Sequence, residues 1–141
     1  MEDIRSVLTQ FNSKKKKTDG QKVPPPGAGV QASASEIPDL FFDEVLHQFK
    51  LSRHEITLLM FLYRQTWCRP NLYKTHGIGP LNSYVEMAAF LHFTTDELSH
   101  SLRSLENYGF IETVRSGQYF VRKFFTEALD AKFGQDYNDF F

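Results

Sequence analysis

Cysteine is all but missing from this chain of 141 residues: Cys68 stands alone. That excludes an intramolecular disulfide and a zinc site built on cysteines, and it favours a reducing, intracellular setting. Long apolar runs are missing too, none approaching the ~20 residues of a membrane span. The first eleven residues mix acidic and apolar types without the basic-then-apolar order of a secretory signal. A soluble, cytoplasmic chain without membrane contact is the expectation. Glycine is scarce, with eight in all, and Gly77 with Gly79 lacks the second half of any phosphate-binding loop. The five histidines, His47, His54, His76, His92 and His100, do not pair with each other or with Cys68 at zinc-motif spacing. Cys68 follows an apolar helix with no nucleophile signature around it. These absences point away from an enzyme, and no metal or cofactor is expected.

An overall excess of charge is lacking as well, at net −1, but the balance is uneven along the chain. Residues 1–35 hold six Lys/Arg against three Asp/Glu, whereas residues 36–141 hold ten against fourteen. A tail of +3 is thus joined to a body of −4. Duplex DNA attracts proteins largely through neutralised phosphates, so the body by itself is a poor polyanion ligand.

Aromatic residues are plentiful. Fourteen phenylalanines in a chain that is 41% hydrophobic allow one well-filled core, and the length fits one domain plus a tail. The tail is residues 1–35. Its stretch 12–35 carries Lys14, Lys15, Lys16 and Lys17, then Pro24, Pro25, Pro26 and Gly27, with almost no large apolar residue. Burial there cannot offset the entropy of ordering, so a disordered linker is expected. The lysines read as a DNA-binding arm, a nuclear address or a solubilising charge. Ahead of them Ile4, Val7, Leu8 and Phe11 share one face of a short helix within residues 1–12. That segment is either a frayed end or a peptide that folds on a partner's groove.

Residues 36–141 are expected to form the folded domain. Pro38 suits a first helical turn, and the apolar spacing predicts a helix over residues 38–50. Three capping boxes, a Ser or Thr followed three residues later by Glu, then mark helix starts: Ser52 with Glu55, Ser83 with Glu86, and Thr94 with Glu97. The second helix, apolar almost all round, reads as central and buried, ending near Thr66 or Trp67. Residues 68–82 form a loop longer than ordinary connections and are therefore functional or mobile. The third helix, 83–91, should turn Val85, Ala88, Ala89 and Leu91 to the core. The fourth, 94–108, should turn in Leu98, Leu102 and Leu105, with Ser101 near the same face, and stop at Gly109. Residues 110–114 and 118–122 flank Arg115, Ser116 and Gly117 in a strand–turn–strand pattern. A last helix, 124–133, presents Ala128, Leu129 and Phe133, and residues 135–141 read as irregular.

The stretch from Leu91 to Ile111 resembles the recognition-helix region of bacterial winged-helix regulators without a gap. The match lies on Leu98, Leu102, Leu105, Gly109, Phe110 and Ile111, and the resemblance extends over residues 52–124. A narrower similarity, on residues 62–67 and the Pro/Gly loop after them, is to the N-terminal origin-binding domains of phage replication proteins. The family resemblance implies a mainly α fold with a small β-hairpin, a winged helix-turn-helix, and a double-stranded DNA partner. On the family's pattern the DNA-facing side chains of the fourth helix are Thr95, Ser99, His100, Arg103 and Asn107. Those of the wing are Arg115, Gln118 and Arg122, with Lys14 to Lys17 along the phosphates.

This sequence departs from that pattern in places. Thr95 and His100 stand where the family often has Arg or Lys, Asp96 and Glu97 add negative charge to the first turn, and His92 replaces a common turn glycine. Two functions follow: a DNA-binding transcription regulator or replication accessory, or a winged-helix adaptor that binds protein through the acidic body or the N-terminal segment. The first and last helices, with Phe140 and Phe141, leave apolar surface of the kind such regulators use to form homodimers.

Overall fold

A computed structural model describes residues 31–137, and those from Ser35 onward belong to one compact unit. The short helix expected within residues 1–12 and the lysine run lie outside the described residues. Among the described residues the unit is mainly helical, with one two-stranded antiparallel hairpin placed after four helices and a short 3-10 helix, Lys74–His76.

Helix α1 opens as a π-type turn, Phe41–Val45, and closes as α-helix, Leu46–Gln48. It buries Phe41 and Val45, and just beyond it Phe49 stacks edge-on to Phe110 at 4.9 Å. Helix α2, Arg53–Tyr63, starts at a complete capping box. The Ser52 hydroxyl accepts from the Glu55 amide, and the Glu55 carboxylate accepts from the Ser52 amide at 2.7 Å. Its last turn widens over Arg64–Cys68, where the buried Thr66 hydroxyl donates to the Leu62 carbonyl at 2.9 Å. Such back-bonding loosens a helix locally.

Helix α3, Tyr84–Leu91, and helix α4, Thr95–Tyr108, are joined by His92, Phe93 and Thr94. His92 adopts a left-handed conformation, φ 58° and ψ 40°, and the Phe93 amide returns to the Ala88 carbonyl at 2.9 Å. The residue that departs from glycine therefore keeps a glycine-like turn. Thr94 and Glu97 complete a second capping box, whereas at Ser83 only the hydroxyl half forms, to the Glu86 amide at 3.4 Å. Gly109, φ 86°, ends α4.

Strands β1, Ile111–Arg115, and β2, Gln118–Val121, pair Ile111 with Val121 and Thr113 with Tyr119, with a bulge between Thr113 and Arg115. The long 68–82 loop is held to β2's other edge. Ile78 bridges to Phe120, the Gly79 amide donates to the Tyr119 carbonyl, and the Val121 amide donates to Gly77. A side chain at Gly79 would meet the Thr66 hydroxyl at 2.7 Å, and one at Gly117 would meet the Asn82 carbonyl at 2.1 Å. Two glycines thus let the loop close on α2 and on the hairpin turn.

The core lies between α2, α4 and the hairpin. Leu58, Leu59, Leu98, Leu105, Phe110 and Phe125 are fully buried, each contributing about 1.5–3 kcal/mol by its removal from water. Two expectations are corrected. On α3 the inward residues are Met87 and Ala88, while Val85 is 71% exposed and Ala89 also faces out. The last helix, α5, is Glu127–Lys132, starting at Thr126 and not at residue 124. Phe125 sits at φ 75° and stacks on Tyr63 at 4.9 Å, which interrupts the helical run. Ala128 is exposed and so is Phe133.

Candidate functional site

With Leu98, Ser101, Leu102 and Leu105 turned inward, helical spacing leaves Thr95, Asp96, Ser99, His100, Arg103, Glu106 and Asn107 outside, and all seven are exposed. Two sub-faces result. Toward the hairpin, the Tyr84 hydroxyl bonds to Ser99 and donates to the Thr95 carbonyl at 3.4 Å, and the Thr113 hydroxyl of β1 donates to Glu106. Toward α2, His100 lines a notch of about 410 Å³ with Ser52, His54, Asp96, Glu97 and Ser101. The Thr94 amide, donating to the Glu97 carboxylate at 2.8 Å, holds that group below the usual carboxylate range, and the nearby His54 adds to the effect. His54 Nε2 lies 3.1 Å from Glu97 on the open surface.

Of the five side chains expected to face DNA from this helix, Arg103 and Asn107 stand clear of any hydrogen bond to a described residue. His100 does so too but sits among carboxylates. Ser99 is engaged by Tyr84, and Thr95 is exposed beside it. Nothing in the sequence marked Tyr84 or the Thr113–Glu106 contact, because both depend on how two elements meet.

On the hairpin the three expected residues separate. Arg115 is exposed and lends its Nε to the Gln118 side-chain oxygen at 3.0 Å. Gln118 is 8% exposed and donates to the Gly79 carbonyl at 3.0 Å, fastening the 68–82 loop to the sheet. Arg122 donates to the Gly109 carbonyl, lies over the Phe120 ring and forms an ion pair with Asp130 at 3.2 Å. The fold thus uses Gln118 and Arg122 as braces.

Asp130, 3% exposed, is the centre of a network that no local sequence pattern marks. Its carboxylate accepts from Arg122, from the Phe124 amide at 3.0 Å and from the Tyr137 hydroxyl at 2.7 Å, while Tyr137 in turn accepts from the Lys123 amide. Tyr137 packs edge-on to Phe120 at 4.7 Å. Burial pushes its phenol far up from the ordinary value, and does the same at Tyr63. Cys68 is half-buried, its thiol donating to the Glu36 carbonyl at 3.2 Å, and burial raises its pKa.

Among the described residues no three His, Cys, Asp or Glu side chains converge to hold a metal, and no helix is long and apolar enough to cross a membrane. Comparison with protein-family models, with curated proteins and with solved structures finds no match to this chain.

Proposed function

We propose that this chain is a non-enzymatic winged-helix protein that binds double-stranded DNA, as a transcription regulator or replication accessory. One observation carries the proposal: a 14-residue helix, α4, with its outer side uncovered, follows a three-residue turn from α3 and leads directly into a hairpin. Such an order supports a helix-turn-helix with a wing, in which one helix is presented to the major groove. Arg103 and Asn107 are then the groove-facing side chains and Arg115 the wing's phosphate contact. Thr95 and Ser99 supplement them, while His100 is disfavoured by its carboxylate neighbours. Asp96, Glu97 and Glu106 oppose a single Arg103 on α4, so the helix supplies register more than affinity. Lys14 to Lys17 supply the attraction.

Fluorescence anisotropy of the full chain with random-sequence duplex tests this. Six cations, the four lysines with Arg103 and Arg115, correspond to a fall of about a thousandfold in affinity between about 50 and 200 mM salt. Replacing the four lysines by Gln should flatten that dependence, and Arg103→Ala should weaken binding at fixed salt. No binding at low salt would overturn the proposal, and an unchanged Arg103→Ala would remove α4 from it.

A second reading is an adaptor that uses the same fold to bind protein. It is favoured by the −4 balance of residues 36–141 and by the apolar outer side of α3.

A further inference from the structure

Helix α3 is unusual in being apolar almost all round while having only one side covered. Met87 and Ala88 are buried, yet Val85 is 71%, Phe90 61% and the preceding Leu81 56% exposed. An all-apolar helix is ordinarily enclosed, and grouped exposed apolar side chains mark interaction surfaces. Phe90 packs on Phe61 of α2 at 5.4 Å, and between the two helices runs an open groove of about 580 Å³ whose apolar lining is Phe61, Leu81, Met87 and Phe90.

The groove's polar lining has a distinct character. Arg64 and Arg69 border it, with Glu86 as its only carboxylate, so its balance is +1 in a body of −4. Neither arginine meets a carboxylate among the described residues, where the ion pairs are His54 with Glu97 and Arg122 with Asp130. Among the described residues Arg69 hydrogen-bonds only to the Cys68 carbonyl, at 3.3 Å. One wall is braced in advance: Gln65 and Asn82 exchange two amide hydrogen bonds, at 3.1 and 2.9 Å. A pre-formed site of this kind loses less entropy when it is filled.

We propose that this groove docks an amphipathic segment of another protein, carrying carboxylates beside its apolar side chains. The apolar residues would lie in the groove against Phe61, Leu81, Met87 and Phe90, and the carboxylates would meet Arg64 and Arg69, for which a guanidinium's forked donors are suited. Duplex DNA fits poorly, because it offers phosphates but no apolar stripe. The inference uses none of the residues assigned to DNA and stands independently of DNA binding.

The probe is a fluorescein-labelled helical peptide of about 16 residues, long enough to hold helical form on docking, with Leu and Phe at i, i+3, i+4 and i+7 flanked by Glu. A second peptide carries Lys in place of Glu. Anisotropy with the full chain should show the acidic peptide binding at least about tenfold more tightly than the basic one, a difference of about 1.4 kcal/mol. The double variant R64E/R69E should reverse that preference, and Phe90→Ser should weaken the acidic peptide. Circular dichroism would check that the variants remain folded. Equal binding of both peptides, no binding of either, or no reversal in R64E/R69E would overturn the proposal. So would sedimentation showing a dimer of the free chain that Phe90→Ser disperses, which would assign the face to a second copy. Retained DNA binding by R64E/R69E alongside the reversed peptide preference would support it and separate the two sites.

Discussion

At the scale of single residues, much of this fold hangs on groups whose composition says little. Glu127 and Asp130 are both carboxylates in the short helix α5, but only Asp130 turns inward to gather Arg122, the Phe124 amide and Tyr137. Asp130→Asn would keep the shape and lose the charge, leaving Arg122 against Phe120 without its partner. Breaking a fully buried pair costs about 3–5 kcal/mol. Because Arg122 keeps 22% exposure, a loss of about 2–4 kcal/mol is expected on the same principle. Urea unfolding would measure it, and a change below about 0.5 kcal/mol, the scatter of ordinary surface substitutions, would show that the network is not stabilising. Sequence patterns could not locate this centre, since no periodicity joins positions 122, 124, 130 and 137. Arg122 and Gln118 looked like free wing side chains for the same reason: their partners, Asp130 and Gly79, arrive from other segments.

At the scale of elements, the starts of α2, α3 and α4 were legible because a capping residue is a local signal that needs no tertiary partner. The inward face of α4 was equally plain, since its leucines stand on one side and polar residues on the other. Helix α3 gives no such contrast: Ala88 faces inward as its spacing suggests, but Val85 and Ala89 face out and Met87 takes the second inward place. The pairing of residues 77–79 with β2 was hidden because so short a segment has no alternation to read. The turn between α3 and α4 carries its own prediction. His92 holds a left-handed conformation that costs a non-glycine residue about 1–2 kcal/mol, while glycine would lose about 0.5–1 kcal/mol of extra chain freedom on folding. His92 is exposed and lends the core nothing, so relief of strain should win. His92→Gly is expected to raise stability by a few tenths to about 1 kcal/mol, seen as a melting temperature higher by up to several degrees. A lower melting temperature would mean that the imidazole makes a contact worth more than the strain.

At the scale of the whole molecule, the six tyrosines divide by where the fold puts their hydroxyls, and this sets its behaviour in alkali. Burial raises the phenol pKa at Tyr63, Tyr119 and Tyr137. Their hydroxyls tie distant segments together: Tyr63 donates to the Lys123 carbonyl and Tyr137 to Asp130. A raised folded-state pKa means that the stabilisation is fully present below the free phenol's value of about 10 and is lost as pH rises toward the folded-state values. Above that point the unfolded chain releases protons that the folded chain retains. Each retained proton lowers stability by about 1.4 kcal/mol per pH unit. The loss works against a domain stability of only about 5–15 kcal/mol, so the fold is expected to open cooperatively in alkali, above the free-phenol value. Phenolate absorbance should therefore rise in two parts, the second coinciding with loss of the helical circular dichroism signal. Tyr63→Phe removes one late phenol together with its bond to Lys123, so it should shrink the second step by about a third. A single phenolate transition near the free-phenol value, with the helical signal intact throughout, would show that these hydroxyls are open to water and that the packing of α2, the hairpin and the 134–137 segment is looser than described.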